Sequence, residues 1–319
     1  MNSGQMKLKV ATRGSALALW QANHVAGLLR QVDSDLEVDL VVIETVGDRV
    51  IDKPISAMGG QGIFVKEVQT AVIDGRADMA VHSAKDLPSD PSLSPSELVI
   101  AAVPKRVDPR DVLVGNTLDG LATGATVATG SARRKVQLSD LRTDLSFVDL
   151  RGNIDTRLAK AQDYGAVVVA KAALDRLGYE AKATQVLSTN EMLPQVGQGA
   201  LAIECRAGDG SGDVQLRSLL KALEHDPSRR AVDAERAFLG TLGGGCDLPV
   251  GAYAELTDDD TLWLRAMLAS LDGHIVLRDE LYADAGQSPS ELGRALARNL
   301  IEAGGASLVL EDLGMRDHT

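Results

Sequence analysis

A repeat constrains this chain more than any other feature. The segment Val10-Ala11-Thr12-Arg13-Gly14-Ser15-Ala16 has a near copy in Val127-Ala128-Thr129-Gly130-Ser131-Ala132. In each copy a short apolar run leads into Gly-Ser, and helical periodicity follows over Leu17 to Arg30 and over about Arg133 to Leu141. Ser15 is placed to cap the first of these helices, because its hydroxyl can accept from a free N–H of the opening turn. A second apolar run then closes each copy. Val38 to Ile43 ends in Thr45-Val46-Gly47-Asp48, and Leu145 to Leu150 ends in Arg151-Gly152-Asn153. Two further strands are predicted to end in polar loops: Ala77 to Val81 before His82-Ser83-Ala84-Lys85-Asp86, and Ala166 to Ala170 before Lys171. The pattern predicts two α/β units whose functional loops follow the carboxyl ends of parallel strands, where open α/β sheets bind ligands. Helices that open on Gly-Ser also offer free N–H groups to an anion.

Beyond about Asp226 the pattern changes. Pro227 to Thr241 reads as a helix, followed by Gly243-Gly244-Gly245-Cys246-Asp247. Three alternating runs come next, Val250 to Glu255, Leu262 to Ala269 and Ile275 to Tyr282, separated by the turn signals Asp258-Asp259-Asp260 and Asp272-Gly273. A last helix is predicted from Pro289 to about Ala303, with Ser288 as its cap. This is an α+β module with a small antiparallel sheet. The chain's 319 residues suit two or three domains, since single cores rarely exceed roughly 250 residues. Aromatics make up only 3%, so the core must be built from aliphatic side chains, which favours α/β layers.

Net charge is −12, which argues against nucleic acid as a partner and makes any local gathering of arginine informative. Two cysteines are too few for a disulfide framework, and no metal-binding spacing is present. The polar start, Met1 to Lys9, lacks the apolar core of a secretory leader, and no apolar run is long enough to span a membrane. A cytoplasmic enzyme is expected.

Arg13, Arg133, Arg134, Arg151 and Arg157 all fall at or just after predicted strand ends. A guanidinium grips a carboxylate bidentately, so together they could hold a polycarboxylate; taken singly, each reads more readily as a solvated surface charge. Asp86 follows a predicted strand and could accept N–H groups or steady a developing cation, or simply begin the turn before Pro88. His82 reads as a packed strand residue rather than a base. Cys246 stands among glycines, which suits covalent attachment of a bulky group better than burial. Cys205, within Leu201-Ala202-Ile203-Glu204-Cys205, suits burial. Gly59-Gly60-Gln61-Gly62 lacks the ending of a phosphate-binding loop. Val196-Gly197-Gln198-Gly199-Ala200 reads as a hinge, a ligand loop or a crossover turn.

Taken together, ATRGSALAL (11–19), GGQGIFVKEV (59–68), ADMAVHSAKDLP (77–88), DPRDVLV (108–114), TGSARRKVQL (129–138), LRGNIDTRL (150–158), LPQVGQGALAIECR (193–206) and GGGCDLPVGAYAEL (243–256) resemble the porphobilinogen deaminase (hydroxymethylbilane synthase) family, in that family's order. The resemblance implies two α/β domains like those of type II periplasmic binding proteins, at residues 1–103 with 200–220 and at 104–199. A C-terminal α+β domain at 221–319 would carry Cys246. It implies a monomer that uses no metal and makes hydroxymethylbilane from four porphobilinogen molecules, joined on a dipyrromethane cofactor held to Cys246 by a thioether. Carried over residue by residue, Asp86 would accept the pyrrole N–H groups and stabilise the cationic azafulvene. Lys85, Thr129, Ser131, Arg133, Arg134, Gly152 and Arg157 would hold the cofactor. Arg13, Ser15, Arg151, Arg176 and Gln198 would hold porphobilinogen and the growing polypyrrole. Ala57 and Gln61 stand where many relatives have lysine, and Gly243 replaces an acidic residue found in some. A binding module on the same fold would need a leader or a DNA-binding segment, and a cysteine-dependent acyl transferase would need a His and carboxylate spaced to serve Cys246. The sequence shows none of these.

Overall fold

The computed structural model describes residues 6–45, 65–243, 248–302, 305–306, 309–310 and 313. The chain divides into two compact units. One comprises Met1–Arg106 with Ala200–Arg229, the other Val107–Gly199 with Arg230–Thr319.

Both units contain the repeated element. In the first, β1 (Lys7–Arg13) leads into the helix Ala16–Val32 and then β2 (Glu37–Ile43). Ser15 caps that helix, accepting from the Ala18 N–H at 3.3 Å. The helix Lys66–Ile73 precedes β3 (Met79–Ser83), and β4 (Leu98–Ala102) follows. The second unit opens with β5 (Asp111–Val114) and then restates the pattern. β6 (Thr126–Ala128) is followed by the helix Ala132–Leu141 and β7 (Ser146–Val148). Next come β8 (Ala166–Ala170), with the helix Lys171–Leu177 directly after it, and β9 (Gln185–Val186). Lys171 therefore opens a helix and not the loop its polarity suggests. The chain then supplies β10 (Leu201–Arg206) to the first unit.

The two sheets share one plan. The first runs β2-β1-β3-β10-β4 and the second β7-β6-β8-β5-β9. In each, the first three strands are parallel, and the fourth is antiparallel to both neighbours. That fourth strand is, in each sheet, the first strand after the chain changes unit. This is the α/β pair that the repeat predicts.

Both sheets are covered on both faces, which explains why their inner strands are apolar without alternation. In the second sheet Leu113, Val127, Ala166 and Val168 enter one core, while Val112, Val114, Ala128, Val167 and Val169 enter the core on the other face. In the first sheet Leu8, Val10 and Ile203 pack with Val25 and Leu29 of the helix Ala16–Val32, and Ala11 and Ala80 pack with Val68 and Val72 on the other side.

The C-terminal part of the second unit is a meander of β11 (Val250–Leu256), β12 (Leu262–Ala269) and β13 (Val276–Tyr282). One face of β12, formed by Leu262, Leu264, Ala266 and Leu268, packs on Phe238 of the helix Asp226–Thr241 and on Leu292 and Leu296 of the helix Pro289–Glu302. Met267 and Ala269, on the other face, pack against Val136 and Leu193. Ser288 and Glu291 start the last helix with reciprocal hydrogen bonds, 3.3 Å from the Glu291 N–H to Ser288 Oγ and 2.8 Å from the Ser288 N–H to Glu291 Oε2. Among the described residues, no helix is long and apolar enough to cross a membrane.

Candidate active site

In the first unit, β1 and β3 run parallel with Ala11 opposite Ala80, so Arg13 and the segment after Ser83 emerge at the same edge of the sheet. Three interactions fix that edge. Gln21 Nε2 donates to Ser83 Oγ at 2.8 Å, the Thr12 hydroxyl donates to the Ala18 carbonyl at 3.2 Å, and the Ala84 N–H donates to the Ala200 carbonyl at 3.0 Å. A single 3-10 turn, Ala84–Asp86, follows, closed by the Leu87 N–H on the Ala84 carbonyl at 3.3 Å. Lys85 and Asp86 are half-buried on this turn. Among the described residues no hydrogen bond or ion pair engages the Asp86 carboxylate, so it keeps its acceptor capacity. His82 is buried in β3, as expected, with Nε2 at 3.0 Å from Glu204, whose carboxylate also takes both bonds from Gln69.

In the second unit, the corresponding edge gathers the arginines. Ser131 caps the helix Ala132–Leu141, its Oγ accepting from the Arg134 N–H at 3.5 Å, and Thr129 Oγ1 accepts from the Ser131 N–H at 3.3 Å. Gly130 lies so near the Leu150 carbonyl that a Cβ would sit 3.0 Å from it, which brings the Gly-Ser turn beside the Arg151-Gly152 segment. Gly152 has φ of 109°, in the region that favours glycine, and its carbonyl accepts from Arg157 Nε at 2.9 Å. Arg151 is exposed at this rim and Arg157 half-buried behind it. Burial, then the charges of Arg134 and Arg151, lower the Arg157 guanidinium to about 10. Arg176 is also lowered to about 10 by burial, against the opposing pull of Asp175, and donates to the Gly199 carbonyl at 2.8 Å.

Arg133 and Arg134 are more deeply set than loop clamps, at 3% and 6% exposure. Both surround Asp111, which is fully buried at the start of β5. Arg134 Nε and Nη2 donate to Asp111 Oδ1 at 3.1 and 2.7 Å, Arg133 Nη2 lies 2.8 Å from Oδ2, and Gln198 Nε2 donates to Oδ1 at 3.0 Å. Burial pushes the Asp111 carboxyl up, but the two arginine charges and the bonds from Arg134 and Gln198 outweigh it and hold it well below the usual carboxylate range. Asp111 was not among the residues expected from sequence. Its only signal there is an acidic residue immediately before the apolar run Val112-Leu113-Val114, which reads more simply as a turn.

Beside Ser131 and Arg133 lies a small open pocket, also lined by Gln195, Val196, Leu239, Leu248 and Val250. Leu248 is two residues from Cys246 in sequence. Cys246 itself, Ala57 and Gln61 lie outside the described residues. No group of His, Cys, Asp and Glu among the described residues is arranged to hold a metal.

The arrangement suits a polycarboxylate. The edge of the second unit presents guanidiniums, of which Arg157 is lowered by burial and by the charges of Arg134 and Arg151, and Asp111 offsets Arg133 and Arg134; the edge of the first unit presents a carboxylate with no partner among the described residues. Comparison with known proteins bears on what that ligand is. The family described as "Porphobilinogen deaminase, dipyromethane cofactor binding domain" matches residues 8–213, and "Porphobilinogen deaminase, C-terminal domain" matches residues 230–302. A protein named porphobilinogen deaminase from Syntrophus aciditrophicus is 46% identical over 96% of this chain and 99% of its own. Proteins of the same name from Nitratidesulfovibrio vulgaris and Roseiflexus castenholzii are 43% and 45% identical, covering 97% and 95% of this chain and 98% of each relative.

Proposed function

The chain belongs to the porphobilinogen deaminase family, and from that premise we propose how its own residues carry the family's reaction. The enzyme deaminates porphobilinogen and joins four molecules head to tail into hydroxymethylbilane, using dipyrromethane as cofactor. The arginine cluster of the second unit carries the reading, because each pyrrole brings an acetate and a propionate and the protein as a whole is strongly acidic. When bound, dipyrromethane supplies the free pyrrole α-carbon from which the chain is extended.

In this reading Cys246 holds the cofactor through a thioether. Arg133, Arg134 and Arg157 pair with its carboxylates, Lys85, Thr129 and Ser131 add hydrogen bonds, and Gly152 lets the backbone approach. Arg13, Ser15, Arg151, Arg176 and Gln198 bind the side chains of porphobilinogen and of the lengthening product. The depressed Arg157 supports this, since a carboxylate placed there relieves the repulsion from Arg134 and Arg151.

Asp86 acts on the reacting ring. Its carboxylate accepts the pyrrole N–H, and its negative charge steadies the cation left when the C–N bond breaks and ammonia departs with the bonding pair. With the cofactor bound, its free α-carbon would supply the other end of the new C–C bond, and the proton displaced from that carbon would pass to solvent. The half-buried turn suits this role, because a fixed charge in a partly dry site is worth more than one in water.

The three sheets support a division into domains at 1–103 with 200–220, 104–199 and 221–319. The net charge of −12 supports an enzyme that works without nucleic acid, and we place it in the cytoplasm as a monomer.

Asp86→Asn tests the role of the carboxylate. The variant keeps an acceptor of the same shape without the charge, so it should retain the cofactor mass while turnover falls by roughly 10²–10³-fold. Undiminished turnover in a loaded Asp86→Asn enzyme removes Asp86 from the mechanism.

A further inference from the structure

We propose that Asp111 is a positioning residue for the arginine cluster, holding Arg133 in the orientation that receives the cofactor. The inference rests on the reading above that Arg133 pairs with a cofactor carboxylate.

Three observations support it. Asp111 is fully buried and divides its two oxygens between separate tasks. Oδ1 takes Arg134 Nε and Nη2 together with Gln198 Nε2, while Oδ2, among the described residues, forms its ion pair with Arg133 Nη2, at 2.8 Å. Arg133 has a second anchor, Nη1 donating to the Leu193 carbonyl at 2.6 Å, so Asp111 and Leu193 between them fix the plane of its guanidinium. Leu193 is itself held, its N–H donating to Gln137 Oε1 at 2.8 Å, while Gln137 Nε2 donates to the Leu193 carbonyl at 3.1 Å. Arg133 also lines the pocket shared with Leu248, next in the described chain to the cysteine segment. A flexible side chain at that pocket would lose rotamer freedom on binding, and a carboxylate that fixes it beforehand removes that cost. One negative charge between two guanidiniums also leaves the group with a single net positive charge, which one cofactor carboxylate would cancel.

Asparagine at 111 separates the two tasks. Its oxygen still accepts from Arg134 and Gln198, but its amide turns N–H groups toward Arg133, donor against donor. Asp111→Asn therefore releases Arg133 selectively. The experiment purifies the full-length wild type, Asp111→Asn, Arg133→Met and the double variant, and reads the cofactor-loaded fraction by intact mass and folding by thermal melt. Each single variant should load about tenfold less, the scale of one charge-assisted bond. The double variant should load no worse than Arg133→Met alone, because Asp111 acts through Arg133.

Losses that multiply in the double variant would overturn the proposal, since they assign Asp111 an independent structural role. Normal loading by Asp111→Asn beside defective Arg133→Met overturns the role of Asp111 and leaves the cofactor reading intact. Normal loading by Arg133→Met overturns that underlying reading, and the proposal with it. Should Asp111→Asn fail to fold, the double variant keeps one stranded guanidinium, that of Arg134, in place of two and should regain a cooperative melt; a double variant no better folded than Asp111→Asn also overturns the proposal.

Discussion

A buried guanidinium is tolerated when something nearby offsets its charge, and the residues of this site differ in how that is done. Arg133 and Arg134 have Asp111, although burial still lowers Arg133; Arg157 is lowered to about 10 by burial and by Arg134 and Arg151. Asp111 is the residue whose loss should register most in the free protein. Replacing it by alanine strands two buried charges and should cost about 3–5 kcal/mol in a denaturant melt. Because its native pKa is depressed, its contribution is complete above the unfolded value near 3.9 and is lost as pH falls through the native one. The stability gap between wild type and Asp111→Ala should therefore be flat from neutral pH to about 4 and close below it. A gap that closes on the alkaline side would contradict this. The cysteines provide a second check. Cys205 is fully buried, and burial raises its thiol to about 11, so it should react slowly in the native protein. If Cys246 is held in a thioether, the denatured loaded enzyme should titrate a single thiol per chain, and two thiols would show that Cys246 is free.

At the scale of elements, the repeated strand–turn–helix was legible because its periodicity changes abruptly at Gly-Ser. β1, β6, β8, β11 and β12, and the helices that follow β1 and β6, lie within a few residues of their expected bounds. What the sequence hid has a physical cause. β5 is only Asp111–Val114 and β9 only Gln185–Val186, and a run that short, buried on both faces, shows no alternation. Their pairing comes from the sheet, not from local preference. The helix Lys171–Leu177 was hidden by its abrupt start at the last residue of β8. For the site, the arginines were visible as a charge pattern on matching loops, whereas their burial around Asp111 depends on a strand 22 residues or more away and has no local signature. Gly293 on the last helix lies against the helix Asp226–Thr241, and a Cβ there would meet the Ala234 carbonyl oxygen at 2.1 Å and the Phe238 nitrogen at 2.8 Å. Gly293→Ala gains about 1 kcal/mol of helix preference but must push backbone apart, so a net loss of roughly 2 kcal/mol or more is expected. A raised melting temperature would contradict that close approach.

At the scale of the whole molecule, the governing contrast is between an acidic protein and a basic site. A net charge of −12 repels a polycarboxylate at long range, and salt should screen that repulsion more than it weakens the partly buried pairs with arginine. The encounter rate with porphobilinogen should thus rise modestly with ionic strength in stopped-flow measurements; a steep fall would instead point to steering by a positive outer surface. The proposed mechanism requires one covalent bond, the thioether that anchors a dipyrromethane built from substrate at Cys246. Intact mass of the freshly purified enzyme, measured beside Cys246→Ser, tests it most directly. The wild type should exceed its sequence mass by one dipyrromethane and the variant should match its own. A wild-type protein that turns over porphobilinogen at its bare sequence mass, or a Cys246→Ser protein that carries the same adduct, would contradict it.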